Sequence, residues 1–261
     1  MVCIMCMVGN DYQRILDGVQ YWDRKEGIEN IYLLYDDKKD KYGFVSQANA
    51  LELVKTFSPL YGKPTTLGYN PQDFTNVFCA LHLILCREVE QRRRQVMIDA
   101  TSTTKEAYGA TVTVSLMFKG VRIYIIPPKE RGWYVPSPQD PDFQEWFEKT
   151  RSVPGLDPVE IYLPGERFEK PKPNATIILT TLKKHGGSAN TLVSLMRRCG
   201  YDPDDPVAKN RFSRIIARLD KGGFVKKIPT KQGKRVSLTR FGEVYAEAID
   251  NQLPPKSVPR A

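Results

Sequence analysis

Histidine is almost absent from this sequence, and with it goes every catalytic arrangement that depends on an imidazole. Only His82 and His185 occur, so no Ser/His/Asp or Cys/His set can be assembled. The five cysteines are odd in number and sit in apolar surroundings, as the reduced core thiols of a cytoplasmic protein do, which excludes a disulfide framework. No apolar run reaches the ~18–20 residues that cross a bilayer, and the opening Met1 to Val8 lacks a basic n-region, so neither secretion nor a membrane partner is expected. Two common nucleotide signatures are missing as well. No GxxxxGK[ST] occurs, and Gly9 is not followed by the glycines of a dinucleotide fingerprint.

Metal-binding spacing is scarce. Cys3 and Cys6 mimic a CxxC pair, but residues three apart on a strand face opposite sides and do not readily share an ion. Cys79, His82 and Cys86 fall on one face of a helix, which leaves a metal triad open. Phe78, Leu81, Ile84 and Leu85 around them favour core packing instead, so no metal is assigned.

What the sequence does have is positive charge, unevenly placed. Its 39 Lys+Arg exceed its 30 Asp+Glu by 9, which suits a polyanionic partner. Residues 166–261 hold 20 basic and 9 acidic residues, whereas residues 1–165 hold 19 and 21, so the whole excess lies in the last third. A composition of 41% hydrophobic and 26% charged residues is that of folded domains, and 261 residues suit two of them.

Proline marks the division. Ten of the nineteen prolines lie between residues 127 and 173, where regular structure must be short. A short helix over Asp142 to Lys149 and a strand over Val159 to Leu163 are expected within this connector, and Phe143, Trp146 and Phe147 require something to pack against. Residues 1–128, 129–172 and 173–261 are therefore read as a first domain, an ordered connector and a second domain.

In the first domain Val2 to Val8, Ile31 to Tyr35, Val96 to Asp99 and Val121 to Ile126 are apolar without alternation, as strands buried on both faces of a parallel sheet are. Helices are expected near Tyr12 to Arg24, Ser46 to Tyr61, Asp73 to Gln91 and Lys105 to Met117. The Thr111-Val-Thr-Val114 run by itself favours a strand, but a crossover between parallel strands requires a helix there. The fold class is thus α/β, Rossmann-like and doubly wound with a mainly parallel sheet, followed by a small winged helix-turn-helix domain.

The winged-helix reading comes from three helices, Ala175 to Lys184, Ala189 to Cys199 and Pro206 to Lys221, then strands Phe224 to Ile228 and Arg235 to Leu238, then a helix from Thr239 to Asp250. On the third helix Ala208, Phe212, Ile215, Ile216 and Leu219 form an apolar stripe. Asn210, Arg214 and Lys221 point away from it, flanked by Arg211, Ser213 and Arg218. Such a helix suits the DNA major groove, with Lys231, Lys234 and Arg235 of the hairpin on phosphates. A basic solvated face with no ligand is the plainer alternative. The stretch Arg211 to Glu247, with its LxxGGFV turn and LTRFG segment, resembles the winged-helix domains of prokaryotic transcription factors.

In an open α/β sheet, ligands bind beyond the carboxyl ends of the strands. After the first strand comes Gly9-Asn10-Asp11, and after Asp99 comes Ala100-Thr101-Ser102-Thr103-Thr104-Lys105. Four hydroxyls and a lysine at a helix N-terminus fit an anion such as a phosphodiester, whereas helix capping alone needs only one hydroxyl. The VGNDYQRI and IDATSTTKE segments resemble the two ligand motifs of CRISPR-associated Rossmann-fold (CARF) domains, and the whole chain resembles CARF–winged-helix regulators. Where that family commonly has two glycines in its second motif, this sequence has Ser102 and Thr103, a bulkier loop.

The resemblance implies a homodimer that binds a cyclic oligoadenylate effector, most often cyclic tetra-adenylate. Gly9, Asn10, Asp11, Asp99, Thr101, Ser102, Thr103, Thr104 and Lys105 would form the site, and no other cofactor is implied. The expected function is a ligand-responsive transcriptional regulator acting on double-stranded DNA. A metal-independent ring nuclease remains open, with Lys105 stabilising charge and Asn10 or Ser102 orienting a ribose 2′-hydroxyl. So does a winged-helix protein whose α/β domain only dimerises.

Overall fold

The computed structural model describes residues 1–129, 136–155, 157–161, 169–230 and 233–250. The chain divides into two compact units, which meet in sequence between residues 167 and 168.

The first unit runs β1 (Val2–Val8), α1 (Tyr12–Glu26), β2 (Ile28–Asp36), α2 (Lys41–Tyr61), β3 (Thr65–Tyr69), α3 (Phe74–Leu85), β4 (Gln95–Asp99), α4 (Lys105–Ser115), β5 (Val121–Ile125), α5 (Phe143–Arg151) and β6 (Val159–Ile161). The sheet order is β3-β2-β1-β4-β5-β6, parallel throughout except for β6, which runs antiparallel to β5. This is the Rossmann-like, mainly parallel α/β arrangement. All seven residues of β1 are buried, because helices cover both faces of the sheet. Ile15, Val19 and Trp22 of α1 share one core with Ala50, Leu53 and Phe57 of α2. The chain winds outward from β1 to β3 and then returns to β4 on the other side. The crevice of such a sheet lies where that direction reverses, beyond the carboxyl ends of β1 and β4.

Local chemistry accounts for the differences from the sequence pattern. Helix α2 starts at Lys41, five residues before Ser46, because the Asp40 carboxylate accepts from Tyr42 N at 3.0 Å and Gly43 N at 2.8 Å. Helix α3 stops at Leu85, and Cys86–Gln91 continue as a π-helical turn. This turn holds Glu88, fully buried, against Tyr32 Oη at 2.5 Å and against Arg92 and Arg94 at 2.9 Å each. Two of the three consecutive arginines thus neutralise a buried carboxylate, a stronger demand than a helix dipole makes. The β-branched run in α4 is helical as the crossover requires, with Thr111 and Thr113 hydroxyls donating to Ala107 O at 2.7 Å and Gly109 O at 2.8 Å.

The proline-rich stretch adds structure to this unit. Strand β6 extends the sheet, and α5 buries Phe143 and Phe147 against Val45. Within the expected strand Val159 to Leu163, residues 162 and 163 lie outside the described residues.

The second unit runs α6 (Pro173–Lys184), β7 (Ser188–Ala189), α7 (Leu192–Arg198), α8 (Pro206–Lys221), β8 (Val225–Thr230), β9 (Gly233–Leu238) and α9 (Arg240–Asp250), with antiparallel strands in the order β7-β9-β8. Helix α7 begins three residues later than the pattern suggests, because Ala189 pairs with Val236 and Thr191 caps the helix through Ser194 N. On α8, Phe212, Ile216 and Leu219 are buried, while Asp205 caps Val207 N and Gly222 ends the helix. Glycine is required at position 242, where a Cβ would stand 1.9 Å from Phe224 O. Among the described residues, no helix is long and apolar enough to cross a membrane.

Phe212 has no exposed surface and anchors α8 through an edge contact with Tyr201 at 5.1 Å. Phe212→Ala is expected to cost the second unit about 3–5 kcal/mol. Calorimetric melting should show one transition lowered and the other unchanged.

Candidate functional site

Two loops meet beyond the carboxyl ends of β1 and β4. Gly9 is pressed against the second loop, where an added Cβ would sit 2.8 Å from Ser102 Cβ and 3.1 Å from Ser102 O. The close approach lets Ser102 Oγ accept from Asp11 N at 3.2 Å and donate to Asp11 Oδ2 at 2.6 Å. Asp11 also forms an ion pair with Arg14. The Gly9 carbonyl accepts from Asn49 Nδ2 at 2.8 Å, and the Val8 carbonyl accepts from the Ser46 hydroxyl at 2.7 Å, so α2 fixes the first loop from below. Asn10 Oδ1 and Asn49 Oδ1 are buried acceptors with no donor among the described residues.

In the second loop each hydroxyl already has a partner. Thr101 Oγ1 accepts from Ile126 N at 2.9 Å, Thr103 Oγ1 donates to Ala100 O at 2.9 Å, and Ser102 is held by Asp11. Thr104 is the N-cap of α4, accepting from Ala107 N at 3.1 Å and donating to Pro71 O at 2.6 Å. These hydroxyls shape the loop, because a tight turn beside a buried strand end must satisfy its own polar groups. Lys105 is exposed and makes no ion pair among the described residues. It is the one cation of the predicted set left available, and it stands at the N-terminus of α4, where the dipole favours negative charge.

Asp99 does not face the cleft. It is fully buried, with Oδ1 accepting from Thr101 N at 2.9 Å. Its other oxygen and the Tyr124 hydroxyl lie over Gly18, 3.2 and 3.1 Å from where a Cβ would be. Burial pushes its carboxyl up to about 6, against the opposing pull of its hydrogen bonds to Thr101. Asp99 thus sets the turn of the second loop from a buried position.

Sequence reasoning missed Arg14, Asn49 and Ile126. Arg14 Nη1 donates to Ile126 O at 2.8 Å while its other nitrogen pairs with Asp11. Ile126 N donates to Thr101. The residue that leaves β5 is thus held by both loops at once. The i, i+3 spacing of Asp11 and Arg14 was a visible signal, as was a lone Asn in the apolar half of α2; the main-chain role of Ile126 had none.

The second unit presents a separate basic face. Asn210, Arg211, Ser213, Arg214 and Arg218 of α8 are all exposed, opposite the buried stripe. Among the described residues, none of Arg211, Arg214, Arg218 and Lys221 has an acidic partner; Asp220, the acid beside them, is taken by Lys227 at 3.2 Å. Lys234 and Arg235 are exposed on β9, where Arg235 donates to Ser188 Oγ at 3.1 Å. Lys231 lies outside the described residues. His82 and Cys79 are buried, with the imidazole stacked on Phe78 at 6.0 Å and edge-on to Phe118 at 5.6 Å, an aromatic packing site.

No protein-family model matches the chain, and no curated protein matches it significantly. Among solved structures, Enterococcus italicus Csm6 bound to cyclic hexa-2′-fluoro-hexa-dAMP is similar at 13% identity and a TM-score of 0.46, over 85% of this chain and 53% of that one. A type III CRISPR defence DNA nuclease activated by cyclic oligoadenylate matches at 13% identity and a TM-score of 0.36, over 86% and 35%. Can2 from Sulfobacillus thermosulfidooxidans in complex with cyclic tetra-adenylate matches at 9% identity and a TM-score of 0.36, over 94% and 63%. The chain thus spans between 35% and 63% of the length of these proteins. The fold described above rests on its own strand order.

The raised carboxyl of Asp99 has a pH signature. In the folded chain it holds its proton up to about pH 6, above the ordinary carboxylate range, so this group costs stability as pH rises through that window and the full cost remains above it. Asp99→Asn keeps an acceptor for Thr101 N and removes the buried charge. Melting curves should show the two proteins alike near pH 4 and the variant more stable at pH 7, by up to about 3 kcal/mol; a gap that does not vary with pH contradicts the assignment.

Proposed function

We propose that this chain is a ligand-responsive DNA-binding regulator. Its first unit is a CARF-type sensor that pairs as a homodimer around a cyclic oligoadenylate, cyclic tetra-adenylate being the first ligand to test. Its second unit is a winged helix that binds double-stranded DNA through α8 and the β8–β9 hairpin. The observation that carries this reading is the unpaired row of Arg211, Arg214, Arg218 and Lys221 on the face of α8 opposite its buried stripe. An unpaired basic row on a helix that follows two others and precedes a hairpin is the layout of a recognition helix and wing.

The α/β cleft supports the sensing half. Lys105 and the start of α4 offer positive potential to a phosphodiester. Gly9 permits a close approach of the two loops, and the amide oxygen of Asn10, buried without a donor among the described residues, would become an acceptor for an adenine amino group or a ribose hydroxyl once the loops part. Binding that parts Ser102 from Asp11 would disturb the Arg14 and Thr101 contacts to Ile126, where the proline-rich segment begins. A signal carried along that segment would alter the spacing of two winged helices on half-sites about 34 Å apart.

A ring nuclease is the second reading, favoured by the Asp11–Ser102 pair beside Lys105, which is a hydroxyl and a cation in one cleft. Calorimetry against cyclic oligoadenylates of several ring sizes, with chromatography of the mixtures, separates the two. The regulator reading expects binding without linear products, at least tenfold weaker in Lys105→Ala, and a ligand-dependent change in duplex DNA binding. Linear products that vanish in Lys105→Ala would establish the nuclease. No binding of any ring would leave the first unit as a dimerisation module.

A further inference from the structure

We propose that Val207 contacts a thymine methyl group and so fixes one base of the DNA site; this rests on the DNA-binding reading above. Val207 is 75% exposed, the second residue of α8 after Pro206, in a turn held by the Asp205 cap. A single exposed valine is ordinary by itself. Its position is the informative part. Val207, Arg211, Arg214, Arg218 and Lys221 are spaced by four, three, four and three residues, which places them along one ridge of the helix, directly opposite Phe212, Ile216 and Leu219. Val207 is the one apolar residue on that ridge, and it stands at the N-terminal end.

That end of a recognition helix is the part that reaches base edges in the major groove. There the arginines further along can serve phosphates or guanine edges, and Asn210 on the flank has the two-sided chemistry that matches adenine. Valine can neither donate nor accept a hydrogen bond. The apolar feature that the major groove presents is the C5 methyl of thymine. A β-branched side chain is also nearly confined to one rotamer in a helix, so its methyl groups are held in place before binding. The residue is therefore suited to distinguishing thymine from cytosine at one position.

The test uses the full chain and a duplex that it enriches from a random-sequence library. Each thymine in that duplex is replaced in turn by deoxyuridine, which removes only the methyl group. At one thymine per half-site the replacement should weaken binding about fourfold, the effect of one buried methyl. Val207→Ser, altered at an exposed position and so still folded, should bind the thymine and deoxyuridine duplexes alike. Indifference of the wild type to every replacement, or discrimination retained in Val207→Ser, overturns the assignment while leaving DNA binding intact. Failure to enrich any duplex overturns the DNA-binding reading and this assignment together.

Discussion

Parallel strands that pair in register end side by side, and the cleft of the first unit depends on that constraint. Cys6 pairs with Asp99 across β1 and β4, so Gly9 and Ser102, each three residues further on, arrive at the same height. The space between them accepts no Cβ on residue 9. Glycine at that position is what lets the Ser102 hydroxyl reach both the main chain and the carboxylate of Asp11. Asp99, the last residue of the paired ladder, then holds Thr101 N and fixes where the second loop turns. The loops are thus consequences of the sheet.

One chain of contacts closes on Ile126. Ser102 holds Asp11, Asp11 pairs with Arg14, Arg14 donates to Ile126 O, and Ile126 N returns to Thr101 in the loop where the chain began. The next two residues, Pro127 and Pro128, have no N–H and can offer no donor of their own. Ile126 is therefore the last residue at the exit of β5 that can be tied to the loops through its amide. A ligand that favours one arrangement of the two loops would bear on this residue, because its N–H ends on the second loop and its carbonyl on Arg14 of α1, the partner of Asp11 in the first.

Strands β1, β2, β4 and β5 were legible because burial on both faces leaves unbroken apolar runs, and the bracketing helices followed from the need to connect parallel neighbours; β3, Thr65–Tyr69, lacks such a run. Propensity alone misreads α4. Its Thr111 to Val114 run has a strand composition, and the topology overrides it by giving each threonine a carbonyl one turn back. In the second unit the period of α8 was legible to the residue, since an apolar stripe opposite a basic one depends only on local geometry. What the sequence could not display was consumption. The hydroxyls of Thr101 to Thr104 also hold Ile126, Asp11, Ala100 and Pro71, which spacing alone does not display. The contacts of Arg14 to Ile126 O and of Asn49 to Gly9 O were hidden for the same reason, since those partners lie 112 and 40 residues away. Likewise β6, inside a proline-rich stretch, gains its place in the sheet from pairing with β5.

Charge acts at two different ranges in this chain. Residues 1–165 carry 19 basic and 21 acidic residues, so no general field draws an anion to the first unit. Within the cleft, however, the Asp11 carboxylate is already compensated by Arg14 and by the Ser102 hydroxyl. Beyond a Debye length of about 8 Å the remaining charges of the unit are screened at physiological salt, so what an anion meets is Lys105 and the unpaired amides at the start of α4. Residues 166–261, with 20 basic against 9 acidic residues, have the opposite character. There the excess is general, and Arg211, Arg214, Arg218 and Lys221 on α8 carry part of it. Counting charge therefore points to the proposed DNA surface and not to the proposed cleft site, because a small anion site depends on which groups remain unpaired and a polymer site depends on how many there are.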